Sequence, residues 1–263
     1  MKYPEIQKVM DSNEAYDFVA QYNTPIHGGG SEGTRKLLEM CQLDDKSHVL
    51  DVGCGAGHTA CFIAEKYGSR VIGIDISENM IKMAKKRARK KKMVDKVEFQ
   101  VTDVFQLPFK ENSFDAVIIE SVLTPLPDEA KALVEITRII RSGGLVGANE
   151  AIFDPSTPPE VIELLAKHPS FSGRIITSQS LKEMFAEAGL EIVHFTEETF
   201  KISIMKEMGV RGIISFMVRV YPKLMFKLIA DSGFRKYVKL DDEVKKVGEE
   251  HSSFGLIVGK KPE

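Results

Sequence analysis

Apolar residues along this chain fall into short continuous runs separated by segments of helical period. "VLDV" at 49–52, "VIGI" at 71–74 and "AVII" at 116–119 have strand length and almost no polar interruption. Runs of this kind fit strands covered on both faces, as in a parallel sheet flanked by helices. The pattern predicts strands over 47–53, 70–76, 97–103, 114–121 and 143–151, with helices over 58–68, 78–92 and 128–141 between them. Ser77 is placed to cap the helix that follows it, because its hydroxyl can accept from an otherwise unpaired amide, and Gly68 marks a helix end. A helix over 178–188, a sixth strand over 190–198 and a last strand over 253–261 complete the alternation. Helices over 5–20 and 31–43, divided by the turn-rich "YNTPIHGGGS", precede it. The expected fold class is α/β: a doubly wound, mostly parallel seven-stranded sheet. It carries an N-terminal helical cap (1–43), a core (44–198), a helical insertion (199–250) and a last strand (251–263). In such a sheet the ligand lies at the carboxyl ends of the strands, where strand order reverses.

The first strand runs into "GCGAG", with Gly53, Gly55 and Gly57 alternating, before the helix at 58. Glycines there let the backbone turn tightly and admit a ligand closely. The spacing is G-x-G-x-G, although a frame on Gly55, Gly57 and Ala60 formally matches a dinucleotide fingerprint. Asp75 closes the second strand, 22 positions after Gly53, where a carboxylate can accept from both hydroxyls of an adenosine ribose. The third strand ends in Asp103 and Val104. A carboxylate at that crevice can accept from an adenine amino group while the next amide donates to a ring nitrogen. No Walker lysine follows the glycines, which counts against a nucleoside triphosphate. None of the six tyrosines has a lysine four residues later, which counts against a short-chain dehydrogenase.

The set "VLDVGCGAGHTA", "VIGIDISENMI", "VTDVFQLPFKENSFDAVIIESVL" and "EITRIIRSGGLV" resembles the class I S-adenosylmethionine-dependent methyltransferases. The likeness is strongest to the small-molecule branch with the ubiquinone/menaquinone-biosynthesis and phosphoethanolamine methyltransferases, and it covers residues 27–150. It implies a Rossmann-like core with S-adenosyl-L-methionine as cofactor and S-adenosyl-L-homocysteine as product. It further implies that Asp51, Gly53, Cys54, Gly55 and Gly57 line the methionine and ribose portion, and that Asp75 takes the ribose hydroxyls. Ile76 and Met80 would sandwich the adenine, Asp103 and Val104 would read its edge, and Glu120 would lie beside the methionine amino group. "IHGGGSEGTRKLLE" resembles the glycine-rich segment that closes over the cofactor in the phosphoethanolamine branch, with Tyr22 displaced from the position expected for a lid tyrosine.

Methyl transfer from a sulfonium is an in-line displacement with an activated leaving group, so alignment and exclusion of water are the protein's main tasks. No catalytic residue is compulsory; His27, Glu120 and Glu150 are the candidate bases near strand ends. The acceptor expected is a small, partly apolar organic molecule. "ESVLT" stands where amino-group methylases of DNA or protein carry Asn/Asp-Pro-Pro-Tyr, and no Pro-Cys pair exists for cytosine methylation. Two alternatives stay open: another adenosyl-cofactor transferase, such as an aminopropyl transferase, and a non-catalytic S-adenosylmethionine-binding regulatory protein.

Net charge adds little, at −2 over 263 residues, and gives no nucleic-acid bias. Cys41, Cys54 and Cys61 match neither a disulfide framework nor a metal pair, so no metal is expected. With no apolar core of signal-peptide length at the N-terminus, a reducing, cytoplasmic setting is expected. Eight basic residues within 82–93 read as the solvated face of a surface helix, since no aromatic nearby offers a base a stacking surface. From Lys201 to Lys239 there are nine basic residues against two acidic, and Arg211, Ser215, Arg219, Lys223 and Lys227 recur every four positions among apolar ones. That stripe suits a lid over the acceptor, a homodimer interface or a peripheral membrane-surface helix.

Overall fold

The computed structural model describes residues 27–167, 171, 174–199, 225, 229–230 and 232–263. The expected helix over 5–20, Tyr22 and nearly all of the basic stripe lie outside the described residues. The elements are α1 (Gly30–Met40), β1 (His48–Val52), α2 (His58–Tyr67), β2 (Arg70–Asp75), α3 (Glu78–Lys91), β3 (Val97–Val101) and β4 (Phe114–Glu120). They continue with α4 (Glu129–Ile139), β5 (Ile140–Phe153), α5 (Pro159–Leu165), α6 (Ser178–Glu187), β6 (Glu191–Thr199), α7 (Ser232–His251) and β7 (Ser252–Lys260). The strands form one seven-stranded sheet in the order β3-β2-β1-β4-β5-β7-β6. β1 to β5 pair in parallel, and β7 runs antiparallel to both β5 and β6.

Strand periodicity divides the core into two layers. Leu50, Val52, Val117 and Ile119 point to one face, where α4 (Leu133, Ile136, Ile139) and α6 (Leu181, Phe185) cover them. Val49, Ala116, Ile118, Leu256 and Val258 point to the other, against α1 (Leu37, Leu38), α2 (Ala60, Ile63, Ala64) and α3 (Ile81, Ala84, Ala88). That is why the apolar runs are continuous rather than alternating.

The Ser77 cap is formed: the Met80 amide donates to the Ser77 hydroxyl at 3.3 Å, a contact worth about 1 kcal/mol. α3 buries Met80, Ile81, Ala84 and Ala88 and turns Lys82, Lys85 and Lys86 outward, so most of its basic run is a solvated face.

The structure differs from the sequence pattern at several boundaries. β3 stops at Val101, so Asp103 and Val104 stand in the loop beyond it. β5 is longer than expected at both ends: it starts at Ile140, directly on the end of α4, where Ile140 pairs with Phe114 of β4, and it runs on to Phe153 because β7 supplies a partner along its outer edge from Leu145 onward. The helix α5, which begins at consecutive prolines, is additional; Pro159 sits in its first turn, where a missing N–H costs nothing. α7 fills the last part of the expected insertion and runs straight into β7. Among the described residues no helix is long and apolar enough to cross a membrane.

Candidate functional site

Strand order reverses between β1 and β4, so a crevice opens at their carboxyl ends. The loop leaving β1 carries three glycines in the left-handed region: Gly53 (φ 66°), Gly55 (φ 50°) and Gly57 (φ 75°). They differ in what surrounds them. A Cβ on Gly57 would lie 2.7 Å from Phe99 Cζ and 2.9 Å from Ala84 Cβ, so this glycine lets α2 start close against α3 and β3. A Cβ on Gly55 would meet nothing within 4 Å among the described residues. The space over Gly55 belongs to the crevice. Arg87 braces the loop from behind, donating from Nε to the Ala56 carbonyl at 2.6 Å and from Nη2 to His58 Nε2 at 2.5 Å. Burial, and then the Arg87 charge, push the His58 imidazole down to about 3. His58 is thus neutral and accepts at Nε2.

Asp75 ends β2 and holds the same loop. One carboxylate oxygen accepts from the Gly55 amide at 2.9 Å and the other from the Ser77 amide at 2.8 Å. Each oxygen keeps a lone pair for another donor. Burial pushes this carboxyl above its usual range, while the two amides pull it back. Beside it Ile76 is 73% exposed, a large aliphatic side chain left standing at the crevice, whereas Met80 is buried against Ala56. Asp103 is exposed and accepts from the Phe105 amide at 2.9 Å, and Val104 is buried below it.

A buried polar cluster lies deeper, between the ends of β1, β4 and β5. Glu120 accepts from Thr34 Oγ1 at 3.1 Å and from Thr59 Oγ1 at 2.7 Å, with the Asn149 amide nitrogen 3.4 Å away. Asn149 is fully buried and donates to the Gly28 carbonyl at 2.8 Å. His27 Nε2 is 3.1 Å from Thr34 Oγ1; its Nδ1 is 3.2 Å from Asn149 Nδ2 and 3.4 Å from Glu120 Oε1. With a proton on Nε2 the ring can donate to Thr34 while Thr34 donates to Glu120 and Asn149 donates towards Nδ1. Asp51 is 2% exposed, and its Oδ2 has no hydrogen-bond partner among the described residues. Burial, and then the charge of Glu120, hold its carboxyl well above the usual range, against one hydrogen bond from the Ala60 amide.

That raised carboxyl has a consequence for stability. A group whose folded pKa lies above its unfolded one adds stability below the unfolded pKa and loses it as pH rises through the folded pKa, at about 1.4 kcal/mol per pH unit. Asp51→Asn should therefore stabilise the ligand-free protein relative to wild type, with a difference in melting temperature that grows from mild acid towards neutral pH. Calorimetric melts of the two proteins across that range measure it.

Glu150, also fully buried, faces the other way. Its Oε1 accepts from the Val122 and Leu123 amides at 2.8 and 2.9 Å, and its Oε2 from the amide and hydroxyl of Thr124 at 3.2 and 2.9 Å. Adjacent positions on a strand point to opposite faces. Asn149 thus meets His27 and Glu120, while Glu150 holds the loop after β4. Of the three candidate bases, His27 and Glu120 come together and Glu150 stands apart with both oxygens engaged. Sequence reasoning passed over Thr34, Thr59, Asn149 and Arg87. The usable signals were polar residues on a buried strand face and in the first turn of a helix that follows a glycine loop.

The residues present fit an adenosyl amino acid: a carboxylate oxygen buried without a donor, an open space over a left-handed glycine, and a second carboxylate with spare acceptor capacity. Residues 43–189 match the family model described as a methyltransferase domain. A demethylmenaquinone methyltransferase of Lactiplantibacillus plantarum is 29% identical over 189 residues, covering 63% of this chain and 79% of that protein. An O-methyltransferase of Pyrenophora dematioidea is 32% identical over 163 residues, covering 61% of this chain and 60% of its own length. The chain thus spans about three fifths of the fungal relative. Among solved structures, phosphoethanolamine N-methyltransferase 2 of Haemonchus contortus, in complex with S-adenosyl-L-methionine, superposes with a TM-score of 0.70 at 20% identity, over 92% of this chain and 55% of that one. That likeness establishes the shared fold, and the family model spans more than half of the sequence. The chain belongs to the methyltransferase domain family.

Proposed function

We propose that the protein methylates a small, partly apolar organic acceptor, with the crevice at β1 and β4 holding S-adenosylmethionine. The observation that carries this reading is the open space over Gly55 beside the donor-less oxygen of Asp51. Asp51, Gly53, Cys54 and Gly55 line the methionine and ribose portion, and Gly57, which is turned into the core, fixes the loop that presents them. Asp75 accepts from the ribose hydroxyls, Ile76 and Met80 flank the adenine, Asp103 and the Val104 amide read its edge, and Glu120 accepts from the ammonium. When bound, the cofactor supplies a methyl group on a sulfonium, already activated for displacement. The chain's own residues align the acceptor, keep water out and take up a proton if the acceptor loses one. His27 and Glu120 are placed for the last task. Glu150 holds the loop after β4.

Beyond β5 lies a small apolar core cluster that includes part of α7. Phe153, Val161 and Leu165 are buried there with Phe171, Ile175 and two residues of α7, Val244 and Val247, packed against them. The sequence of 199–250 suits a lid over the acceptor, and α7 is the described end of that segment. Loss of vesicle binding or of self-association on deleting 211–229, with turnover spared, would favour the membrane-surface or homodimer reading instead.

Titration calorimetry with S-adenosylmethionine and S-adenosylhomocysteine, beside NAD and decarboxylated S-adenosylmethionine, tests the cofactor, and turnover on a panel of small acceptors tests the reaction. Binding of NAD alone refutes the reading, preference for the decarboxylated cofactor points to aminopropyl transfer, and tight binding without turnover on any acceptor points to a regulatory protein. In the same assay Asp75→Ala should weaken S-adenosylhomocysteine binding by about 1–3 kcal/mol. An unchanged affinity in the folded variant would remove Asp75 from the ribose site.

A further inference from the structure

Asp51 and Glu120 stand on neighbouring strands and face the same side of the sheet. β1 pairs with β4 so that Asp51 lies opposite Ile118, which places Glu120 two residues further along, on the same face. Both carboxylates reach the first turn of α2: Asp51 accepts from the Ala60 amide, and Glu120 accepts from the Thr59 hydroxyl at 2.7 Å. Glu120 has its other hydroxyl donor in Thr34, whereas Asp51 Oδ2 has no partner. The titratable groups around the pair are His27 before α1, Cys41 just after α1, Cys54 in the glycine loop and Asp75 at the end of β2. The thiols are neutral, because burial holds both of them up. Arg87 spends its guanidinium on the Ala56 carbonyl and on His58. The two acids therefore share the crevice floor with the His27 ring, hydroxyls and an amide as company.

We propose that Asp51 and Glu120 hold one proton between them in the ligand-free protein, and that seating a cationic ammonium against them expels it, so that cofactor binding releases a proton. Two carboxylates sharing a site cannot both ionise cheaply, and a cation within reach favours the charged form of each. The donor-less Asp51 oxygen is where the incoming N–H lands, replacing the proton that had neutralised the pair. Atoms and charge balance: the ammonium enters, one proton leaves to solvent, and the pair changes from one negative charge to two. The inference rests on the crevice being the S-adenosylmethionine site.

The sign of the pH effect follows. Below the free pair's apparent pKa, binding must displace a proton, so affinity climbs about tenfold for each pH unit, and above it affinity is flat. S-adenosylhomocysteine is the probe, since it carries the ammonium and is chemically stable. Calorimetry at fixed pH in buffers of different ionisation heat counts the protons released, and a series over roughly pH 5 to 8 gives the slope. Wild type should release close to one proton on the rising limb. Asp51→Asn should bind with no release and no slope, and Glu120→Gln, a second variant should the first fail to fold, should do the same. His27→Gln should keep both, because its ring is not the source. Binding without proton release in wild type overturns the proposal while leaving the cofactor site intact. So does release that persists in Asp51→Asn or disappears in His27→Gln. No binding of S-adenosylhomocysteine at any pH overturns the site assignment and this inference together.

Discussion

Gly55→Ala is expected to fold and fail to bind, whereas Gly57→Ala is expected to unfold easily. Both residues sit at positive φ, at 50° and 75°, so either alanine incurs the left-handed backbone penalty of about 1–2 kcal/mol. For Gly57 a further roughly 1–3 kcal/mol of overpacking is added, since the new methyl would press on Phe99 and Ala84 at under 3 Å. For Gly55 nothing among the described residues resists the methyl. Its cost should fall on the ligand instead, as a loss in S-adenosylhomocysteine affinity of roughly a hundredfold, about 2.7 kcal/mol. Urea unfolding and titration calorimetry on each variant separate the two effects. Wild-type affinity in Gly55→Ala would mean that the crevice over this loop is not where the cofactor lies.

The second large effect belongs to Glu150. Glu150→Ala strands three backbone amides and a hydroxyl in the loop after β4, all of which now share one buried carboxylate. Removing one side of such a buried charged network costs about 3–5 kcal/mol. Glu150→Gln should lose less, since one oxygen can still serve Val122 and Leu123, but its NH2 would then confront the Thr124 amide, two donors with no acceptor between them. Denaturant melts should therefore rank wild type above Glu150→Gln above Glu150→Ala. Unperturbed stability in Glu150→Gln together with a collapse in turnover would reverse the assignment and restore this residue as a base.

Local signals explain what could be read in advance. The glycine loop, Asp75 and the Ser77 cap each depend on a few consecutive residues, and the strands β1, β2 and β4 announce themselves because both their faces are covered. The crevice floor was harder. Glu120 was legible as the end of a strand, but Thr34 lies 86 residues from it and Asn149 is 29 residues away. Only the sheet's strand order brings them together. Glu150 next to Asn149 posed the sharpest ambiguity. A buried acid at a strand end reads as a base until its four donors are seen, and those donors belong to a loop whose path no local pattern specifies. The extension of β5 to Phe153 has the same origin, since it comes from pairing with a strand that follows about a hundred residues later.

β7 is the last of the seven strands along the chain, yet it lies between β5 and β6. During synthesis β3, β2, β1 and β4 can assemble as soon as they emerge, while β5 must wait with one bare edge and β6 with no partner at all. Such an edge invites pairing with another chain. The same strand also brings Phe254 against the glycines beside His27, close enough that a Cβ on Gly28 would lie 2.3 Å from that side chain. Closing the sheet and finishing the crevice are thus one event. A chain stopping short of Phe254 would leave that edge bare and the glycines beside His27 without their packing partner.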